Sequence, residues 1–112
     1  MEQRTATTVF ESLSSGVRLD VFRLLVRMGQ EGMVAGDIAA KLGVPPTNLS
    51  FHLKALQQAG LIQPEPLGRN IRYRADFEAM RGLVGFLTEN CCGGDDALCA
   101  PTDAPAKAAG CC

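Results

Sequence analysis

With 112 residues, 46% hydrophobic and 21% charged, the chain has room for one small domain of about 90 residues and a tail, not for two cores. Met1 leads into Glu2 and polar residues rather than a basic and then apolar stretch, and no apolar run nears membrane-spanning length; a reduced, cytoplasmic setting with no membrane partner is expected. The net charge of −1 is unevenly spread: residues 41–74 hold Lys41, Lys54, Arg69, Arg72 and Arg74 against Glu65, a balance of +4, and residues 76–112 hold Arg81 and Lys107 against six carboxylates, a balance of −4. The middle suits an anion and the end a cation.

Taken in order, Val9, Phe10 and Leu13 give the stretch Thr7 to Leu13 a helical face, which Ser14-Ser15-Gly16 interrupts. Val17, Asp20, Val21, Leu24, Leu25 and Met28 then recur with a 3.6 period, leaving Arg18, Arg23 and Arg27 to the outer face, until Gly29. A short helix from Asp37 stops at Gly43, and Val44-Pro45-Pro46 turns the chain into a second helix, whose first turn tolerates proline. That helix runs to Ala59 with Leu49, Leu53 and Leu56 on one face, so the pair has the pattern and spacing of a helix-turn-helix. Leu61-Ile62-Gln63 reads as a strand, Pro64 to Gly68 as a turn, and Asn70 to Arg74 as a strand alternating apolar and basic residues. This hairpin predicts the wing of a winged helix, with Arg69 at the tip and Arg72 and Arg74 on one face.

Asp76 is placed to cap a last helix holding Phe77, Met80, Leu83, Val84 and Leu87, with Gly82 and Gly85 open to close packing. The expected fold is mainly α with a β-hairpin, a winged helix-turn-helix in the order α-α-α-α-β-β-α over residues 1–90. A terminal apolar stripe most often belongs to the protomer's own core. Here the first and last helices bracket the motif, which makes Phe10, Leu83, Val84 and Leu87 the candidate interface of a symmetric homodimer.

All five cysteines, Cys91, Cys92, Cys99, Cys111 and Cys112, fall in the last twenty-two residues. Packing cysteines would be scattered among helix positions, so this collection reads as a ligand set. Adjacent thiols close only a strained disulfide ring, yet two neighbouring thiolates can converge on one large soft ion. The glycines after Cys92 let the chain return so that Cys99 shares the same atom. Three thiolates suit pyramidal trivalent arsenic or antimony; zinc would want a fourth ligand, which Cys111 or Cys112 can supply. A disulfide-linked or unstructured tail is the plain alternative. Residues 91–112 thus read as a cysteine-rich, flexible tail carrying a metalloid site. No Ser-His-Asp set, phosphate-cradling glycine loop or paired carboxylate in a folded element points to an enzyme.

The run Ser50-Phe-His-Leu-Lys-Ala-Leu-Gln-Gln-Ala-Gly-Leu-Ile62, followed by Gly68-Arg69 and Arg72-Tyr73-Arg74, resembles the ArsR/SmtB family of bacterial winged-helix metalloregulators. The stretch Leu13 to Val21 is similar to the opening of that family's second helix, so the likeness spans about residues 8–90. It implies a homodimeric repressor on a palindromic double-stranded operator, released when a metal or metalloid binds. The family's familiar arsenic sensor carries Cys-Val-Cys just ahead of the helix-turn-helix, where this chain has Val34 and Gly36 in place of the sulfurs. Members that sense zinc or cobalt through the last helix use Asp and His there, and residues 76–90 hold no histidine. His52, the lone histidine, reads as a packing or phosphate-side residue. A subset of arsenic-responsive members has thiols just beyond the last helix, and Glu89-Asn90-Cys91-Cys92 with Cys99 resembles that arrangement.

The expectation is therefore a repressor whose inducer is arsenite, with antimonite a second candidate. Thr47, Asn48, Ser50 and Lys54 lie opposite the leucine face and would reach bases or phosphates, with Arg69 and Arg72 holding backbone or minor groove. Two other readings stand beside it: a thiol redox-sensing repressor of the same fold, and a soft-metal sequestering protein without DNA binding.

Overall fold

The computed structural model describes residues 1–90. Over those residues the chain forms α1 (Gln3–Leu13), α2 (Gly16–Met28), a single 3-10 turn (Gly29–Glu31), β1 (Met33–Val34), α3 (Ala35–Leu42), α4 (Pro46–Gln58), β2 (Ile62–Leu67), β3 (Asn70–Ala75) and α5 (Phe77–Leu87). This is the expected winged helix-turn-helix. Three details depart from the sequence reading.

The first helix begins at Gln3, a turn earlier than Thr7, because Ala6, Val9 and Ser12 form one buried face at i, i+3, i+6. A strand at Met33–Val34, which has no readable period, exists through its pairing with β3: Met33 opposes Tyr73 and Val34 opposes Arg72. Most consequential, Pro64 to Leu67 is strand rather than turn. Its register runs from Ile62 opposite Ala75 through Glu65 opposite Arg72 to Leu67 opposite Asn70, leaving only Gly68-Arg69 to reverse the chain. Gly68 takes φ +61°, as so tight a reversal needs. The strand order is β1-β3-β2, so β2 is an edge. Pro64 and Pro66, two apart, share an orientation, and both nitrogens can face the open side without costing a ladder bond.

The core lies where α1, α2, α3 and α4 meet the sheet, with Val9, Val21, Leu25, Ile38, Leu49, Leu56, Leu61 and Ile62 almost wholly enclosed. Burying Leu49, Leu53 and Leu56 anchors α4 by about 1.5–3 kcal/mol per side chain. Gly43 ends α3 in the left-handed region, and Pro46 opens α4 without losing an internal hydrogen bond. Gly32 is a close approach: φ is +66°, and a Cβ there would stand 2.3 Å from the Tyr73 carbonyl oxygen. Only glycine lets the chain enter β1 against β3.

Asp76 caps α5 as expected. Its Oδ1 accepts from the Ala79 amide at 2.9 Å, and its Oδ2 accepts from Gln63 Nε2 at 2.9 Å, tying α5 to β2. These bonds, the Ala79 amide first, hold its carboxyl below the ordinary value. Of the four residues expected at an interface, Leu83 is buried in the protomer's own core, Val84 is half-buried, and Phe10 and Leu87 stay 44% and 58% exposed. Leu83 therefore serves the fold of the single chain, and the free apolar surface of the two terminal helices centres on Phe10 and Leu87.

Candidate nucleic-acid interface

The leucine face of α4 fixes which side chains the helix presents outward. Opposite Leu49, Leu53 and Leu56 stand Thr47, Asn48, Ser50, Phe51, Lys54, Gln57 and Gln58, all exposed. The Ser50 hydroxyl donates to the Pro46 carbonyl at 3.0 Å, leaving its lone pairs free to accept. Between α4 and the hairpin runs a groove of about 450 Å³, lined by Ala35, Gly36, Ser50, Leu53, Lys54, Gln57, Arg69, Asn70, Ile71 and Tyr73. Lys54 enters it from the helix and Arg69 from the hairpin turn, so two cations from distant stretches of sequence face one channel. A phosphate backbone laid along that channel would meet both. Of the six residues expected to meet DNA, the groove gathers Ser50, Lys54 and Arg69; Thr47 and Asn48 are exposed on α4 outside it.

Arg72 is placed differently from the expectation. Tyr73 is buried and lines the groove, so the period of two in β3 turns Arg72 and Arg74 to the other face of the sheet. There both are taken up by Glu65: Arg72 Nε donates to Oε1 at 3.0 Å, with a second bond from its Nη2, and Arg74 Nη2 donates to Oε2 at 2.8 Å. The hydrogen bonding of Arg72, with the positive charges of Arg72 and Arg74, holds the Glu65 carboxyl below its ordinary value. The one carboxylate offsets one of the two positive charges on this face, and the wing's unpaired cation among the described residues is Arg69.

A cluster at the other edge of α4 was not read from the sequence. Arg18, expected on the outer face of α2, is half-buried; its Nε donates to His52 Nδ1 at 3.2 Å, and its guanidinium carbon lies 5.9 Å from the centroid of Phe51. The Phe51 and His52 rings meet edge to face at 5.8 Å. His52 is thereby a packing residue that locks α4 to the start of α2, as one of its two expected roles had it. The contact joins residues 34 apart in sequence, which helical phase within either helix cannot show.

The five cysteines lie outside the described residues, as does any site they form. Among the described residues no group of three His, Cys, Asp or Glu side chains is placed to hold a metal. The last described residue, Asn90, has φ +56°, a left-handed bend that asparagine tolerates and that turns the chain just past α5, immediately before Cys91. No helix among the described residues is long and apolar enough to cross a membrane.

The model of a helix-turn-helix domain family matches residues 13–65. The HTH-type transcriptional regulator YbzH of Bacillus subtilis (strain 168), itself uncharacterized, is 31% identical in a 91-residue alignment that covers 70% of this chain and 91% of that protein. An ArsR-like transcriptional regulator from Rhodococcus sp. RHA1 is 29% identical with a TM-score of 0.69, over 86% of this chain and 88% of that one. The chain belongs to the ArsR/SmtB-like winged-helix transcriptional regulators. Two further solved structures of this kind are similar to it. The antimony-specific transcriptional repressor AntR is 28% identical, with a TM-score of 0.59, over 84% of this chain and 80% of that one. A homodimeric winged helix-turn-helix DNA-binding domain, Mb0332 from Mycobacterium bovis, is 25% identical, with a TM-score of 0.61, over 82% of this chain and 85% of that one. Members of this family are DNA-binding regulators rather than enzymes, and the groove between α4 and the wing is the candidate surface for such binding.

Proposed function

We propose that this protein is a homodimeric repressor that occupies a palindromic operator and leaves it when trivalent arsenic, or antimony, is bound by the thiolates of Cys91, Cys92 and Cys99. The observation that carries the reading is the placement of every thiol of a DNA-binding regulator directly beyond its last helix. The likeness to an antimony-specific repressor and to a homodimeric DNA-binding domain supports the two halves of the proposal. In the dimer, two copies of α4 would enter successive major grooves about one helical turn apart. Exposed Phe10 and Leu87 give the terminal helices an apolar surface for the second copy.

Each thiol loses a proton on binding the metalloid, and the three sulfurs draw residues 91–99 together at the end of α5. Because Asp76 ties the start of α5 to β2, a shift of that helix is passed to the wing. A coupling free energy of about 1–3 kcal/mol weakens operator binding roughly 5- to 150-fold. The test is a gel-shift dose response with arsenite, antimonite, zinc and cadmium on the reduced protein. Serine at Cys91, Cys92 or Cys99 should leave DNA binding intact and abolish release. Serine at Cys111 and Cys112 together should matter less, because the stretch after Cys99 closes a longer loop. Normal release in every variant refutes the proposal. Release by peroxide and not by arsenite would transfer the signal to thiol oxidation.

A further inference from the structure

We infer that Phe51 reads DNA: its ring meets the C5-methyl group of a thymine in the major groove. The inference rests on the family's DNA binding and is independent of what releases the protein. Phe51 is 67% exposed, more than any other large hydrophobic residue described. It is not at a frayed end but in the second turn of α4. Helical phase places it at the outward pole of that helix, in line with Thr47, Lys54 and Gln58 at i−4, i+3 and i+7, opposite the buried leucines. On a monomer's surface the exposed part of that ring loses by its contact with water. In a helix that enters a groove it would be the side chain reaching furthest toward the base edges.

The ring is also held. The Arg18 guanidinium lies 5.9 Å from its centroid and the His52 ring meets it edge to face. Arg18 is itself fixed by its hydrogen bond to His52. A ring braced in this way loses little freedom when it binds. Its chemistry narrows the target. Phenylalanine has neither donor nor acceptor, so it cannot read the hydrogen-bonding atoms of any base; the one apolar group a base pair presents in the major groove is the thymine methyl. Asn48, Ser50 and Lys54 beside it supply the hydrogen bonds for neighbouring positions.

The test begins with the full-length protein selecting its preferred duplex from a random pool. Each thymine of that duplex is then replaced singly by deoxyuridine, which removes only the methyl. For wild type, one thymine in each half-site should show a loss of about fourfold in affinity, the value of one buried methyl-sized group. Phe51→Ala, which removes the ring from both protomers, should lose the square of that factor, roughly 16-fold, on the thymine duplex and be indifferent to deoxyuridine there, and Lys54→Ala should keep the full penalty. Uniform indifference of the wild type to deoxyuridine overturns the inference, and so does a penalty that survives Phe51→Ala. Failure of the wild type to select any sequence would instead remove the DNA-binding assignment itself. Because the deoxyuridine scan of the wild type alters no residue, the result does not depend on how a variant folds.

Discussion

Removing Arg72 should leave the salt dependence of operator binding nearly unchanged, whereas removing Lys54 or Arg69 should flatten it. Each basic side chain that neutralises a phosphate contributes about 0.9 to the slope of log affinity against log salt. Lys54 and Arg69 line the groove between α4 and the wing and have no ion-pair partner among the described residues. Losing either takes one contact from each protomer, so a homodimer's slope should fall by about 1.8. Over a fourfold rise in salt, from about 50 to about 200 mM, the variant should then lose about 12-fold less affinity than wild type. Arg72 faces the other side of the sheet and is held by Glu65. An arginine turned away from the groove and hydrogen-bonded to a carboxylate frees few counterions on the DNA side, and its slope should stay within about 0.3 of wild type. Fluorescence anisotropy of a labelled operator across a salt series measures all three, with circular dichroism to show that each variant is folded. If Arg72→Ala flattens the slope as much as Lys54→Ala, DNA draws Arg72 away from Glu65, and the groove is not the path of the phosphates.

Asp76→Ala should lower stability to urea by about 1 kcal/mol through loss of the α5 cap, while Asp76→Asn keeps most of it. Glu65 and Asp76 both have lowered pKa values in the folded chain, from ordinary values of 4.5 and 3.8. The unfolded chain therefore binds more protons in acid. The stability these groups lend is complete above those ordinary values and is lost as pH falls through the lowered ones, which a urea midpoint series from pH 7 into the acid range would record. An unchanged midpoint in acid would mean that neither carboxylate is tied as described. Leu87→Lys should yield a folded monomer by sedimentation, whereas Leu83→Lys, which buries an unpaired charge, should unfold the protomer. A dimeric Leu87→Lys would place the interface on another surface.

The helix-turn-helix was legible because α4 buries a clean stripe: Leu49, Leu53 and Leu56 mark its inner face, and the proline and glycine at its borders mark its ends. The hairpin was legible at β3, where basic and apolar residues alternate. It was misread at β2, where Pro64 and Pro66 look like a turn to anyone who cannot yet see that the strand is an edge. That single error hid the pairing of Glu65 with Arg72, since the two residues oppose each other only once residues 64–67 are in the strand. Arg72 consequently looked like a free cation. The bond from Arg18 to His52 was out of reach for another reason, because it depends on how α2 crosses α4 and not on the phase of either. The outward position of Phe51 is legible in the sequence, because the helical phase that turns Lys54 away from the leucine face turns Phe51 away as well. The proposed cysteine site rests on the sequence alone, because residues 91–112 lie outside the described residues.

The two prolines of β2 also bear on how the wing behaves in company. A hairpin that projects from a small domain offers its outer edge as a template on which a strand of another molecule can grow. Along β2 that edge lacks donors at residues 64 and 66, where proline has no N–H to offer. An incoming strand would find its register broken twice within six residues. In a homodimeric DNA-binding regulator, this keeps neighbouring wings from zipping into a continuous sheet. Replacing both prolines with threonine would make β2 a better strand and the protein a worse solute.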